Sequence, residues 1–409
     1  MSAAGRSAKD FPSRVLAEML EPHAPEEFLE SSWGVRLLHV GGRAGKFARL
    51  MPWSRLNEIL RRQRLDYPRL RLVQDGRPIP VSSYLRHTTG TRGRTNIPRL
   101  KPTEFTTQLR EGATLVLDAV HELSDEVSEL AEGLELFFGA RVQANLYAGW
   151  HTSRGFDIHW DDHDVFILQA AGRKRWSVYG QTRPYPLFED VERAERPTHE
   201  PLWEGTLEDG DLLYIPRGWW HVARPLAEPT LHLTVGVHNS TGLDLLRWLA
   251  SAMRASETFR RDLPRLSSPQ ERAAHVERMR EELFAEFDPA LIERFYEDQD
   301  ARTEPRARVT LPLDATPQTL APSRDALVRL LAPRPLRLEA SNGMVEFDSM
   351  KRHWRFAEDA LLVLRPLAER RVCTVAELCE ASSARLDERT VRALIGELSR
   401  HGLVAVVEG

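Results

Sequence analysis

The chain has 409 residues, 42% hydrophobic and 28% charged, a length that points to two or three domains and a composition that excludes wholesale disorder. No run approaches the roughly 18 apolar residues of a membrane-spanning helix, Met1 to Asp10 has no apolar signal core, and a net charge of −4 excludes a general attraction to nucleic acid or anionic membrane. Cys373 and Cys379 are the only cysteines, which excludes a disulfide framework and a thiolate zinc cluster and leads us to expect a cytoplasmic protein.

Residues 1–110 read as mixed helices and strands that pack on the β-rich region C-terminal to them. Helical apolar spacing is present over Pro12–Leu29 and over Pro52–Arg64, the latter through Leu56, Ile59 and Leu60. Arg86–Thr103 is rich in Gly, Thr and Arg without periodicity and is expected to be an exposed loop. In residues 111–240, Thr114–Val120 is β-rich. Ser124–Phe138 then places Val127, Leu130, Leu134 and Phe137 on one helix face, with Ser124 as N-cap and Gly139 as stop. From Arg141 onward, strand signals come at short intervals: Arg141–Tyr147, Phe156–Asp161, Asp164–Gln169, Lys174–Tyr179, Asp211–Ile215 and Thr230–Val237. This spacing predicts a barrel or sandwich.

Residues 241–301 are helical, with Ala273, Val276, Met279 and Leu283 as an apolar stripe. Residues 302–335 are rich in Pro and Arg, the composition of a connector with little packing of its own. In residues 336–409, Ser341-Asn342-Gly343 signals a hairpin. Three helix signals and a β-like run come after it, the order of a small winged-helix module. Its charge does not favour DNA: from Arg355 to Gly409 eight arginines face nine Asp and Glu, whereas nucleic-acid binding needs a basic face.

The chemistry starts at His159-Trp160-Asp161. On a strand, residues i and i+2 share a face, so one imidazole and one carboxylate can reach a single metal. In a chain with 14 histidines this tripeptide alone is a weak sign, and a surface strand with two polar residues is the simpler reading. Tyr214-Ile215-Pro216-Arg217-Gly218-Trp219-Trp220-His221 adds a strand, a turn and a second histidine. Two histidines and one carboxylate make the facial triad of non-haem Fe(II) oxygenases, against the alternative of a structural turn. Lys174 falls on a strand with Trp176 and Val178 on the same face, which implies burial, and a buried lysine needs a partner. A 2-oxo acid chelating iron needs a cation at its far carboxylate. Only five of the 56 basic residues are lysine, so a lysine here is less casual than in most chains. Gln143, Asn145 and Tyr147 alternate with Val142, Ala144 and Leu146, giving a polar face that either lines a barrel site or meets solvent.

Together these motifs resemble the Jumonji-C class of 2-oxoglutarate-dependent oxygenases, and among them the ribosomal oxygenases, which are histidyl and arginyl hydroxylases. The stretch from His159 through Trp176 is similar to their first ligand motif and the strand bearing their basic residue, and Tyr214–His221 to their second. The resemblance implies an α+β chain: a double-stranded β-helix of the cupin type with a helical surround, then a helical dimerisation segment and a C-terminal winged helix. It implies His159, Asp161 and His221 as Fe(II) ligands and Lys174 on the distal carboxylate of 2-oxoglutarate. Asn145, Tyr147 and Thr234 then fall near co-substrate or substrate. O2 is the oxidant, 2-oxoglutarate leaves as succinate and CO2, and the substrate is a protein side chain, with a histidine or arginine of a ribosomal protein typical of the family. Trp160 departs from the tyrosine common there, and His163 lies on the ligand face. His232 and His238, near the site, read more simply as structural histidines, and His151 as a loop residue.

Two further readings compete. The same chemistry can act on a biosynthetic peptide or small molecule, including N-methyl demethylation. A catalytically silent cupin scaffold binding partner proteins is the other. In each, a homodimer through the helical segment is expected, without nucleic acid or membrane as partners.

Overall fold

The structure, a computed structural model, describes residues 11–89, 96–188, 190, 195–315 and 322–407. The expectation for Met1 to Asp10 lies outside the described residues. Contacts divide the chain into two units, residues 1–239 and 240–409.

The strands of the first unit are β1 (Leu38–Val40), β2 (Leu70–Gln74), β3 (Arg77–Pro78), β4 (Leu85–Thr89), β5 (Asn96–Leu100), β6 (Thr114–Leu117), β7 (Arg141–Gly149), β8 (Asp164–Ala171), β9 (Lys174–Val178), β10 (Trp203–Leu207), β11 (Leu212–Ile215), β12 (His221–Pro225) and β13 (Thr230–His238). An eight-stranded sheet runs β1-β11-β8-β13-β7-β6-β2-β3, and a smaller one runs β10-β9-β12. The pairing is antiparallel in both.

Strand alternation assigns the two faces of the large sheet. On β8, Phe166, Leu168 and Ala170 enter the main core, while Val165 and Ile167 enter a second core with Trp176, Val178 and Leu207 of the small sheet. A strand buried on both faces reads as a continuous apolar run, as Val165–Leu168 does. On β11 the same division separates Leu212 and Tyr214 from Leu213 and Ile215. On β7, Val142, Ala144, Leu146 and Ala148 take the main core, which leaves Gln143, Asn145 and Tyr147 on the side of the small sheet.

Helices α1 (Phe11–Leu20), α2 (Pro25–Ser31), α3 (Trp53–Arg62), α4 (Pro102–Arg110) and α5 (Asp125–Phe138) contribute to the main core. The single expected helix Pro12–Leu29 is broken at Pro22, whose ring and missing N–H cannot continue a helix. Ser124 stands at the α5 N-cap, but its hydroxyl donates to the Glu126 carboxylate at 2.8 Å instead of capping the backbone.

Three strand expectations change. Arg86–Thr103 is largely the β4–β5 hairpin, its residues 90–95 lying outside the described ones; this two-stranded ribbon buries little of either face, so no alternation marked it. Phe156–Asp161 is not a strand: only His159 bridges, to His221, because the preceding backbone turns to bond Asp75 and Gly76. β10, with its mixed burial, was not signalled.

In the second unit α6 (Gly242–Ala252), α7 (Glu257–Arg260), α8 (Pro269–Ala285) and α9 (Leu291–Arg302) come first. Capping boxes at Thr241 and Ser268 start α6 and α8. The expected α8 stripe is not core: Val276 is 62% exposed, and the residue that α8 buries is His275. Next in the chain are β14 (Leu327–Leu330), β15 (Glu339–Ser341), β16 (Met344–Ser349) and β17 (Arg352–Ala357), then α10 (Leu361–Arg370), β18 (Val372–Thr374), α11 (Val375–Ser382), α12 (Glu388–Arg400) and β19 (Val404–Val407). The β15–β16 hairpin turns on Asn342 and Gly343, both left-handed, as its sequence predicted. β14 lies between β18 and β19, so the end of the expected connector is a central strand. Leu313, Ala326, Val328 and Leu330 belong to the C-terminal core, as do the free cysteines Cys373 and Cys379. Among the described residues no helix is long and apolar enough to cross a membrane.

Candidate metal and co-substrate site

A cavity of about 240 Å³ lies in the first unit, lined by residues from both of its main sheets and the segment before β8. His159, Asp161 and His221 face it, and one donor atom from each falls within 4.8 Å of the others. His221 Nε2 is 3.5 Å from Asp161 Oδ2, and the two imidazole centroids are 4.4 Å apart. The backbones of His159 and His221 exchange both N–H···O bonds, at 3.1 and 2.8 Å. Two distant segments are thereby fixed to each other at the donor residues.

The second side of each imidazole is also fixed. His159 Nδ1 donates to the Asp157 carbonyl at 2.8 Å and His221 Nδ1 to the Trp219 carbonyl at 3.0 Å. A carbonyl only accepts, so both Nδ1 atoms carry the proton and both Nε2 lone pairs point to the cavity. Burial holds His221 down to about 4, so its ring is neutral at pH 7. Burial opposes the charge on Asp161, yet His221 and His159 hold its carboxyl below the ordinary range. The turn before His221 depends on Gly218: φ is +81°, a Cβ there would stand 2.4 Å from Pro186 Cδ, and its N–H donates to the Asp161 carbonyl at 2.9 Å.

The far end of the small sheet that carries His221 offers an ammonium. Lys174, first residue of β9, is 5% exposed, and its Nζ lies 5.9 Å from the Trp176 ring centroid. No hydrogen bond or ion pair to another described residue offsets its burial, which brings its pKa from 10.5 down to about 7. In the same cavity, Trp176 Nε1, His232 Nδ1 and Thr114 Oγ1 are buried with no partner among the described residues. Native interiors rarely leave such atoms unsatisfied. An unpaired cation and three unpaired polar atoms in one cavity with a two-imidazole, one-carboxylate set fit an anionic chelating ligand on a divalent metal.

The remaining expected residues also reach this cavity. Asn145 and Thr234 are cross-strand partners on β7 and β13, as are Tyr147 and His232. Asn145 Oδ1 accepts from the Ala119 N–H at 2.9 Å. The Tyr147 ring stacks on His232 with centroids 5.0 Å apart at 8°; burial, then the Asp161 and Asp118 carboxylates, push its hydroxyl pKa up. His232 is a correction to the simpler structural reading, because its ring is a cavity wall with an open nitrogen. Arg71 and Trp176 are also lining residues. For Arg71, whose Nη2 donates to both Asp118 carboxylate oxygens at 2.8 Å, the signal was the apolar alternation of Leu70 and Leu72 around it. His163 lines the cavity too, the His238 ring lies against that of His163 at a tilt of 32°, and His151 is exposed outside the cavity.

Residues 119–245 match the family model described as JmjC domain. The chain is 28% identical over 239 residues to the Drosophila persimilis bifunctional lysine-specific demethylase and histidyl-hydroxylase NO66, covering 55% of this chain and 32% of that protein. It is 32% identical over 244 residues to Gallus gallus ribosomal oxygenase 1, covering 58% and 39%. The chain therefore spans about a third of the length of these curated relatives. Among solved structures, Escherichia coli ribosomal oxygenase YcfD is similar with a TM-score of 0.56 at 19% identity, covering 94% of this chain and 98% of that one. A YcfD structure in complex with cobalt and 2-oxoglutarate has a TM-score of 0.54 at 18% identity, covering 94% and 98%. At these identities the likeness speaks for the fold.

Proposed function

We propose that this chain, which carries a JmjC domain over residues 119–245, is an Fe(II)- and 2-oxoglutarate-dependent oxygenase that uses O2 to hydroxylate a protein side chain. A histidine or arginine of a ribosomal protein is the proposed target, in line with the names of its relatives. The observation that carries this reading is the convergence of His159, Asp161 and His221 in the cavity that also holds the buried, unpaired Lys174.

Each residue has a task set by its chemistry. His159 and His221 offer Nε2, and Asp161 one carboxylate oxygen, to one side of an Fe(II) ion. The carbonyls of Asp157 and Trp219 keep both rings in the required tautomer. Lys174 takes the far carboxylate of 2-oxoglutarate, and recovers its charge as that carboxylate arrives. Tyr147, Asn145 and Thr234 hold the co-substrate chain and the mouth toward substrate. Tyr147 keeps its proton and acts as a donor. Iron with 2-oxoglutarate supplies oxidative power for C–H hydroxylation when both are bound. Val165, Ile167 and Trp176 form the apolar wall that limits water around the reacting atoms.

For the second unit we read β14, β18 and β19 with α10–α12 as a winged helix, and α6–α9 as a dimerisation segment. Supporting the latter, Leu246, Val276, Phe284 and Ile292 are each half exposed or more. A cytoplasmic location suits the two buried, unpaired cysteines.

The test is an anaerobic Fe(II) titration, then succinate release with ribosomal-protein peptides. Turnover that disappears in His159→Ala and His221→Ala, with one oxygen added to one peptide, supports the reading. Iron binding unaffected by both changes overturns it in favour of a silent scaffold. Turnover on a small molecule or biosynthetic peptide alone overturns the substrate assignment.

A further inference from the structure

A second donor cluster stands beside the first and shares no residue with it. Donor atoms of Asp162, His163 and His238 also lie within 4.8 Å of one another. His163 Nδ1 is 2.9 Å from Asp162 Oδ1, and the His163 and His238 ring centroids are 4.2 Å apart at an interplanar angle of 32°. The two imidazoles and the carboxylate stand close enough for all three to donate to one cation.

The backbone makes room for this arrangement. β13 passes beneath the His163 ring at Gly236, where a Cβ would fall 2.5 Å from both Cδ2 and Nε2. Any larger residue at 236 would evict the imidazole, so glycine is what admits it. The cluster is also reachable by an ion from solvent: the Asp162 and His163 side chains are 31% and 20% exposed. Arg141, opposite His238 on β7, opposes a cation there. The neighbouring carboxylates of Asp161, Asp162 and Asp164 outnumber it.

We infer that Asp162, His163 and His238 form a second divalent-metal site, distinct from the His159–Asp161–His221 triad, that takes a borderline ion such as Zn2+. Two imidazoles with one carboxylate match zinc and its neighbours, whereas calcium and magnesium select all-oxygen sets. The peptide carrying Asp162 and His163 directly follows Asp161, and His238 ends β13. An ion there ties the triad-bearing segment to the last strand of the large sheet, so its role is that of a brace on the first site.

The experiment is zinc stoichiometry on metal-free, tag-free full-length protein, by calorimetry and by the ligand-field absorption of Co2+. Wild type is expected to take two equivalents, and His159→Ala/His221→Ala to keep one and to melt at a higher temperature when Zn2+ is added. Adding His163→Ala and His238→Ala to that variant removes the remaining equivalent. His238→Gln, which preserves side-chain size and polarity, serves should the alanine changes disturb folding, and is expected to weaken the retained equivalent and change its Co2+ spectrum. A triad variant that binds no zinc overturns the inference, as does retained zinc indifferent to both His163/His238 loss and His238→Gln. A wild type whose stoichiometry ignores the His159/His221 change would instead count against the triad reading, so the two failures are distinguishable.

Discussion

Replacing Lys174 with methionine separates ligand binding from stability. Burial alone brings this ammonium from 10.5 down to about 7. At 1.36 kcal/mol per pH unit, holding the side chain in the unliganded cavity costs the fold up to about 5 kcal/mol. The folded pKa lies below the unfolded one, so the unfolded chain binds more protons between about pH 7 and 10.5. The penalty is therefore full below pH 7, fades as pH rises from 7 to 10.5 and is gone above that. Methionine fills a similar volume without charge. At pH 7.5, Lys174→Met is expected to stabilise the protein by about 2–4 kcal/mol, raising the melting temperature of a body this size by several degrees, at about 2–4 °C per kcal/mol. The gain should shrink toward zero above pH 10.5. The same change should weaken 2-oxoglutarate binding by about tenfold to a thousandfold, the loss of one desolvated charge pair. In wild type the carboxylate recruits the protonated amine. Affinity should thus be level below pH 7 and fall by about tenfold per pH unit above it, a slope that Lys174→Met abolishes. Calorimetric titration from pH 6 to 9, with melting curves on the same samples, reads both effects. A variant that melts lower and binds the co-substrate with unchanged affinity and slope would refute the reasoning.

Three other changes probe the surroundings. His232→Phe keeps the stack on Tyr147 but removes the open ring nitrogen; the 2-oxoglutarate KM should rise by about tenfold, one hydrogen bond to a charged group, and an unchanged KM would return His232 to a packing role. Gly218→Ala meets both the +81° φ and Pro186, so urea denaturation should show a loss of about 1–3 kcal/mol together with weaker metal binding, since the same turn bonds Asp161. Tyr214→Phe withdraws the 2.6 Å donor from Asp164, a carboxyl already raised by burial; a loss of about 1–3 kcal/mol is expected, shrinking as pH falls and the acid takes up its own proton, and a constant loss would show that Asp164 is not the group affected.

Where alternation met a half-buried strand, the sequence was legible. Gln143, Asn145 and Tyr147 on β7, and Lys174, Trp176 and Val178 on β9, fall on the faces their spacing required. The His159 segment was harder, because it reaches the candidate metal position through one bridge and irregular backbone, whose long-range bonds go to residues more than 55 positions away. Arg71 comes from β2, far upstream; its alternation with Leu70 and Leu72 marks the face it lies on, but only the sheet order brings that face to the cavity. β14 was hidden inside a Pro- and Arg-rich stretch because its apolar residues number few, yet they sit between two other strands. Composition reports average solvation, whereas a four-residue central strand is decided by its neighbours.

The mutual backbone hydrogen bonds between His159 and His221 mean that these two proposed ligands are brought together by the fold itself. The entropy of closing the long loop between them is met when the sheet forms, not when a cation is captured. Such a clasp lets an ion leave and re-enter without unravelling the β-structure, so the empty protein should keep its ordered wall and reload within a single diffusive encounter.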